Sequence, residues 1–143
     1  MTNFVGFSGS RKYRKFDEIK QVIESLPKDS VVVTGGAIGV DFAASTFALE
    51  RGLQVRWHLA TIMPDGKVLS KGYLPSCSRN LLRNNPERIE VIVHSTDLPS
   101  RNKFIVEDSS FVNLFFADNR ISGGTKVTLD FCKKLNVSYI IHF

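Results

Sequence analysis

A three-layer α/β/α sandwich on a mostly parallel sheet is the fold class this sequence predicts. Short β-branched or aromatic runs alternate with helix-length segments whose apolar residues recur in steps of three and four. Glycine-rich turns, Ser8-Gly9-Ser10-Arg11 and Gly35-Gly36-Ala37-Ile38-Gly39, follow the first two runs. The chain has 143 residues, the usual size of one domain. Strand, glycine turn, helix, strand, repeated, needs right-handed crossovers, and these lay helices on both faces of a parallel sheet. The predicted arrangement is Rossmann-like, as a single domain over 1–143.

Taken in order, residues 3–7, NFVGF, form a short buried strand, and SGSR is the turn after it. Phe16, Ile19, Val22, Ile23 and Leu26 share one helical face, and Pro27 closes that helix. Val31-Val32-Val33 is too short for a helix and suits a strand covered on both faces. The next helix covers 39–51, with Val40, Ala43, Ala44, Phe47 and Ala48 inward and Gly52 as C-terminal cap. Leu53–Leu59 is the third strand. Residues 61–85 break the pattern and are an irregular insertion, with turns at Pro64-Asp65-Gly66 and Pro75-Ser76-Cys77 and a short helix over 79–85. Glu90–His94 is a strand that either extends the main sheet or pairs within a hairpin. Pro99 fits the first turn of a helix running to Ser109. Phe111–Phe116 is a buried strand, 117–124 a polar loop, 125–134 a helix and Val137–Ile141 the final strand.

Composition narrows the function. At 43% hydrophobic and 23% charged, the chain is not generally disordered. No apolar run approaches the roughly 20 residues of a bilayer span. The start, MTNFVGFSGSRK, has the reverse order of a secretory leader, so a cytoplasmic protein with no membrane partner is expected. Cys77 and Cys132 make neither a disulfide framework nor a metal cluster, and His58, His94 and His142 are scattered. Neither a metal nor another cofactor is expected. The net charge of +5, with basic residues at Arg11, Lys12, Arg14, Lys15 and between Arg79 and Arg88, favours phosphate-bearing partners or serves solubility.

Four stretches carry a candidate ligand site. Gly35, Gly36 and Gly39 allow a sharp turn and a phosphate close to backbone N–H groups, or simply a tight strand-to-helix connection. Asp41 either complements its helix N-terminus or binds a ribose hydroxyl or base. Ser8, Gly9 and Ser10 leave room for a ligand and supply hydroxyl donors, and Arg11 grips phosphate or is solvated. Gly123, Gly124 and Thr125, after Ser122, repeat the arrangement before the last helix. Arg101 and Asn102 begin a helix and offer a cation and an amide. Tyr13, Phe16 and Tyr73 are free candidates for stacking on a base. Phe42, Phe47, Trp57, Phe104, Phe111, Phe115, Phe116 and Phe131 are mostly core.

The stretches VGFSGSRKY, VVVTGGAIGVDFAASTFALERGL, SRNKFIVEDSSFVNLFF and ISGGTKVTLDFCKKLNVSYI resemble the SMF/DprA–LOG superfamily, the SLOG domains, and especially the small stand-alone YspA-like group. Residues 61–85 stay largely outside the resemblance. It implies a Rossmann-like domain that binds nucleotides, nucleotide-derived ligands or nucleic acid at Ser8–Arg11, Gly35–Asp41, Arg101-Asn102 and Gly123–Thr125. The LOG branch cleaves nucleoside monophosphates with a Pro-Gly-Gly-x-Gly-Thr-x-x-Glu motif; here Ile121–Thr128 lacks the proline, and Thr128 stands in place of the glutamate. The DprA branch binds single-stranded DNA, and its GGARGID segment resembles GGAIGVD, with Ile38 for the arginine. Three readings follow: a nucleotide-binding module, a nucleoside-monophosphate phosphoribohydrolase-like or other nucleotide-processing enzyme, and a DprA-like single-stranded DNA binder. The resemblance also implies pairing into a homodimer.

Overall fold

The structure is a computed structural model and describes residues 2–143. Its strands are β1 (Asn3–Gly9), β2 (Ser30–Thr34), β3 (Gln54–Ile62), β4 (Ile89–Asp97), β5 (Phe111–Phe115) and β6 (Ser138–His142). Between them run α1 (Phe16–Ser25), α2 (Val40–Glu50), α3 (Ser76–Asn84), α4 (Leu98–Asp108) and α5 (Gly123–Leu135). The six strands form one sheet in the order β4-β3-β2-β1-β5-β6, and all neighbours are parallel. The chain therefore steps outward from β1 to β4 and returns to the other side of β1 with β5. That reversal opens a crevice at the C-terminal strand ends between β1 and β5, where open α/β sheets receive ligands.

Burial follows the two faces. Ile19 and Ile23 of α1 and Val40, Ala44 and Ala48 of α2 pack with Phe7, Val32, Val55 and Trp57 on one face. Val106 of α4 and Leu129 and Cys132 of α5 pack with Val112 and Leu114 on the other. Phe16, placed inward by its spacing, is 37% exposed, because α1 begins at that residue and overhangs the core. Trp57 is fully buried, and its indole N–H donates to Ser45 Oγ at 3.0 Å, so its polar atom is satisfied.

Several boundaries differ from those the sequence suggests. β4 extends the main sheet as its edge strand and makes no hairpin. β3 and β4 reach Ile62 and Asp97 because they pair across a register shift between Ala60 and Ile62. α3 begins at Ser76, with Pro75 as its N-cap residue and Arg79 N donating to Pro75 O at 3.0 Å. α5 begins at Gly123, within the stretch expected as loop, and ends at Leu135, capped by Asn136, whose φ of 59° is left-handed. The segment after β3 turns at Pro64–Gly66 and folds back on the strand end. Leu69 N donates to Thr61 O at 2.7 Å and Tyr73 N to Ala60 O at 2.9 Å. No helix of the described residues is long and apolar enough to cross a membrane.

Gly9 sets how closely α2 approaches β1, since a Cβ there would overlap the side chain of Val40. Gly9→Ala should cost about 1–3 kcal/mol by overpacking. Urea unfolding checks this; an unchanged midpoint would mean that α2 shifts without cost.

Candidate functional site

The crevice encloses about 460 Å³. Ser8, Gly9, Ser10, Arg11, Gly35, Asp41, Arg101, Asn102, Gly123, Gly124 and Thr125 all line it. Of the candidates read from the sequence, Gly36 and Gly39 stand behind its wall. Gly36, at φ 70°, faces Leu74, Trp57 and Leu59, and Gly39, at φ 84°, lies against the backbone of Arg11. Both conformations favour glycine and let the chain reverse between β2 and α2.

The β2–α2 loop is held from within. Asp41, 8% exposed, accepts from Gly35 N at 3.1 Å and Ala37 N at 3.3 Å through Oδ2. Gly36 N donates to Thr34 Oγ1 at 3.1 Å, and Gly36 O accepts from Ser78 Oγ at 2.7 Å. The amides of Gly35, Gly36 and Ala37 are thus taken up within the loop. Burial pushes the Asp41 pKa up, while Arg101, the two amide N–H groups and Arg11 pull it down; burial wins. An ionisable group poised this way in a cleft is a functional candidate.

Arg101 and Asn102 are buried. Arg101 Nη1 donates to Gly35 O and His58 O, each at 3.0 Å, and its Nε donates to Asn102 Oδ1 at 3.2 Å. The guanidinium thus ties α4 to the ends of β2 and β3 while presenting its charge to the crevice. Asn102 Nδ2 donates to Gly124 O at 3.4 Å, which links α4 to α5. Ser8 Oγ lies 3.1 Å from Thr128 Oγ1, and Thr128 Oγ1 donates to Gly124 O at 3.3 Å.

Three helices start at the crevice, and their N-termini differ. Asp41 lies in the first turn of α2. Asp97 caps α4 by accepting from Ser100 N at 2.8 Å. The start of α5 has no side-chain cap and no acidic residue in its first turn. Its unpaired N–H groups and positive dipole end face the cleft beside Ser122, Gly123, Gly124 and Thr125. Exposed Arg11, Lys12 and Arg120 add positive charge at the same side.

Sequence reasoning had not singled out Arg120, Asp118, Leu98, Pro99 or Ile105 as cleft residues, although all line it. Arg120 was findable, because it lies on the loop between β5 and the Gly123-Gly124 turn. Tyr73 also lines the cleft. Tyr13 is not free to stack on a ligand: it is 2% exposed and packs edge-on against Phe115 at 5.2 Å. Phe16 is absent from the cleft wall.

The fold gathers two of the scattered histidines behind Arg101. His58 Nδ1 lies 2.8 Å from His94 Nε2, and His58 Nε2 lies 2.8 Å from Asp108 Oδ2. Arg56 Nη1 donates to both Asp108 oxygens at 2.8 and 3.0 Å, and Phe104 stacks on His94 at 3.8 Å. Among the described residues, no group of three or more His, Cys, Asp or Glu is arranged to hold a metal ion. Cys132 is fully buried, and its thiol is pushed up to about 11 by desolvation.

The all-parallel sheet, with its polar crevice at the switch point, defines a Rossmann-like α/β domain. Two solved structures share the fold. DNA processing protein A (DprA) from Streptococcus pneumoniae superposes with a TM-score of 0.72 at 20% identity, over 98% of this chain and 50% of that one. The structural-genomics protein TM1055 superposes with a TM-score of 0.57 at 17% identity, over 96% of this chain and 72% of that one. The chain thus shares the Rossmann-like fold of these structures, and it spans half the length of that DprA chain. No family model and no curated protein matches the sequence.

Desolvation, then His58 and Arg101, hold the His94 pKa down, and desolvation holds His142 down. The unfolded chain therefore takes up these protons more readily, and stability should fall as pH drops below about 6.5. Urea unfolding between pH 5 and 7 checks this: His94→Gln should flatten the slope, with His142 keeping part of it. An unchanged slope would remove His94 from the account.

Proposed function

We propose that the crevice binds a nucleotide or nucleotide-derived ligand through its phosphate. The observation that carries this reading is the open N-terminus of α5, which faces the cleft beside Arg11, Lys12 and Arg120 while α2 and α4 carry their own carboxylates. Helix amides, a dipole end and cations together favour an anion there. Thr125 and the Ser8 and Ser10 hydroxyls are the neutral partners of that phosphate. Asp41 repels phosphate and suits ribose hydroxyls, and Asn102, bonded to the Gly124 carbonyl, lines the same cleft. Backbone amides and hydroxyls need no metal to perform this binding.

Binding without turnover is favoured by position 128. Thr128 is buried and hydrogen-bonded to Ser8 and Gly124, where the LOG motif has its glutamate. Asp130 is exposed and pairs with Lys126 at 3.1 Å, which leaves it no part in the crevice. The fold shared with DprA supports a second reading, single-stranded DNA on the same cationic rim.

Titration calorimetry with nucleoside monophosphates tests the proposal. A Cβ at Gly124 meets nothing within 4 Å, so Gly124→Asp leaves the fold intact while placing a carboxylate at the α5 N-terminus. It should weaken nucleotide binding by at least about tenfold, and Arg11→Ala and Lys12→Ala by less. Undiminished binding in Gly124→Asp would remove the phosphate from α5. Tight, steeply salt-dependent binding of an oligonucleotide that mononucleotides do not displace would favour the DNA reading. Release of free base from the bound monophosphate would make the protein a phosphoribohydrolase-like enzyme.

A further inference from the structure

The crevice is cationic at one end and apolar at the other, and the strand order keeps the ends apart. Arg11, Lys12 and Arg120 come from the loops after β1 and β5, and Gly124 from the first turn of α5. Tyr73, Leu98 and Pro99 come from the segments after β3 and β4, beyond β2 on the far side. Ile38, 45% exposed on the loop after β2, stands between them.

Tyr73 is held at the apolar end by its neighbours in sequence. Gly72 has φ 86°, and a Cβ there would lie 2.7 Å from Leu59 Cβ, so the backbone lies flat on β3. Leu74 packs into the main core and covers Gly36, where a Cβ would lie 2.8 Å from Leu74 Cδ2. Tyr73 N donates to Ala60 O at 2.9 Å. Both flanking residues are committed to the core, and the ring between them is left half-buried on the cleft wall. Among the described residues it stacks on no other ring, whereas Tyr13 is fixed on Phe115. A half-buried aromatic pinned through its backbone is an aromatic surface prepared before any ligand arrives, which lowers the ordering cost of stacking.

We infer that the ligand is a single nucleotide lying along the cleft, its base on Tyr73 beside Ile38 and its phosphate at α5. The inference rests on the phosphate reading above. A crevice of about 460 Å³ is of a size that takes one small ligand of this kind. Tyr73, Ile38, Leu98 and Pro99 supply contact area and few polar groups, so the base is recognised by its flat face more than by its edge. Such a wall accepts any base and favours the larger purine rings. The irregular segment 63–75 between β3 and α3 thereby acquires a role: it carries the base-contacting ring.

Calorimetry with adenosine 5′-monophosphate and ribose 5-phosphate, on the wild-type chain and on Tyr73→Ala and Tyr73→Phe, tests the inference. The wild type should bind the nucleotide more tightly than the sugar phosphate. Tyr73→Ala should lower affinity for the nucleotide about tenfold or more and leave that for ribose 5-phosphate unchanged. Tyr73→Phe should restore the nucleotide affinity. Equal weakening of both ligands by Tyr73→Ala, or no effect on either, would overturn the stacking role. Equal wild-type affinity for the two ligands would overturn it too, while leaving the phosphate reading standing. No binding of either ligand would overturn both.

Discussion

Gly35 is gripped from both ends by buried, oppositely charged side chains. Its N–H donates to Asp41 and its carbonyl accepts from Arg101. A side chain at this position would overlap the Arg101 guanidinium. Through it β2, α2 and α4 meet at one residue, and the remaining cleft geometry follows from that junction. Arg101 carries the tie on to β3 at His58, and Asn102 carries it to α5 at Gly124. Asp41 and Arg101 make no direct ion pair, but each charge is favoured by the other across Gly35, so removing either withdraws an electrostatic partner from a buried group. The same pair that shapes the crevice thus also guards its integrity.

That junction divides the work among the helix starts. α4 is capped by Asp97, and α2 carries Asp41 in its first turn although, like α5, it has no side-chain cap. α5 is positioned by Asn102 through the Gly124 carbonyl and by Ser8 of β1 through Thr128, which leaves its first N–H groups facing the cleft. The glycine loop after β2, the strongest motif of the sequence, is then chiefly a frame. In the proposed reading, the less conspicuous Ser122-Gly123-Gly124-Thr125 turn takes the anion.

Much of this was legible in the sequence. Val31-Val32-Val33, the face of Ile19 and Ile23, and the cap at Gly52 declare their elements through local pattern, and the glycine turns mark the strand ends. Parallel pairing brings those ends to one edge, so residues as distant as Ser8 and Thr125 line one crevice. What local pattern does not encode is partnership across the fold. Arg101 reads as a free cation at a helix start, yet it is bonded to two carbonyls from other strands. Tyr13 reads as a free aromatic, yet it covers Phe115. His58 and His94 are scattered in sequence and adjacent in space, because β3 and β4 pair in register. Residues 63–75, between β3 and α3, resist reading because their order comes from contacts with Leu59 and Gly36, not from any period of their own.

The most direct test of the account is amide chemical-shift mapping of the chain titrated with a nucleoside monophosphate. The account predicts that the largest amide shifts fall at Gly123, Gly124 and Thr125, with smaller ones at Gly35 and Ala37, whose N–H groups stay bound to Asp41. Large shifts at Gly35 and Ala37 with none at Gly124 would mean that the ligand displaces Asp41 and that the glycine loop, not α5, holds the phosphate.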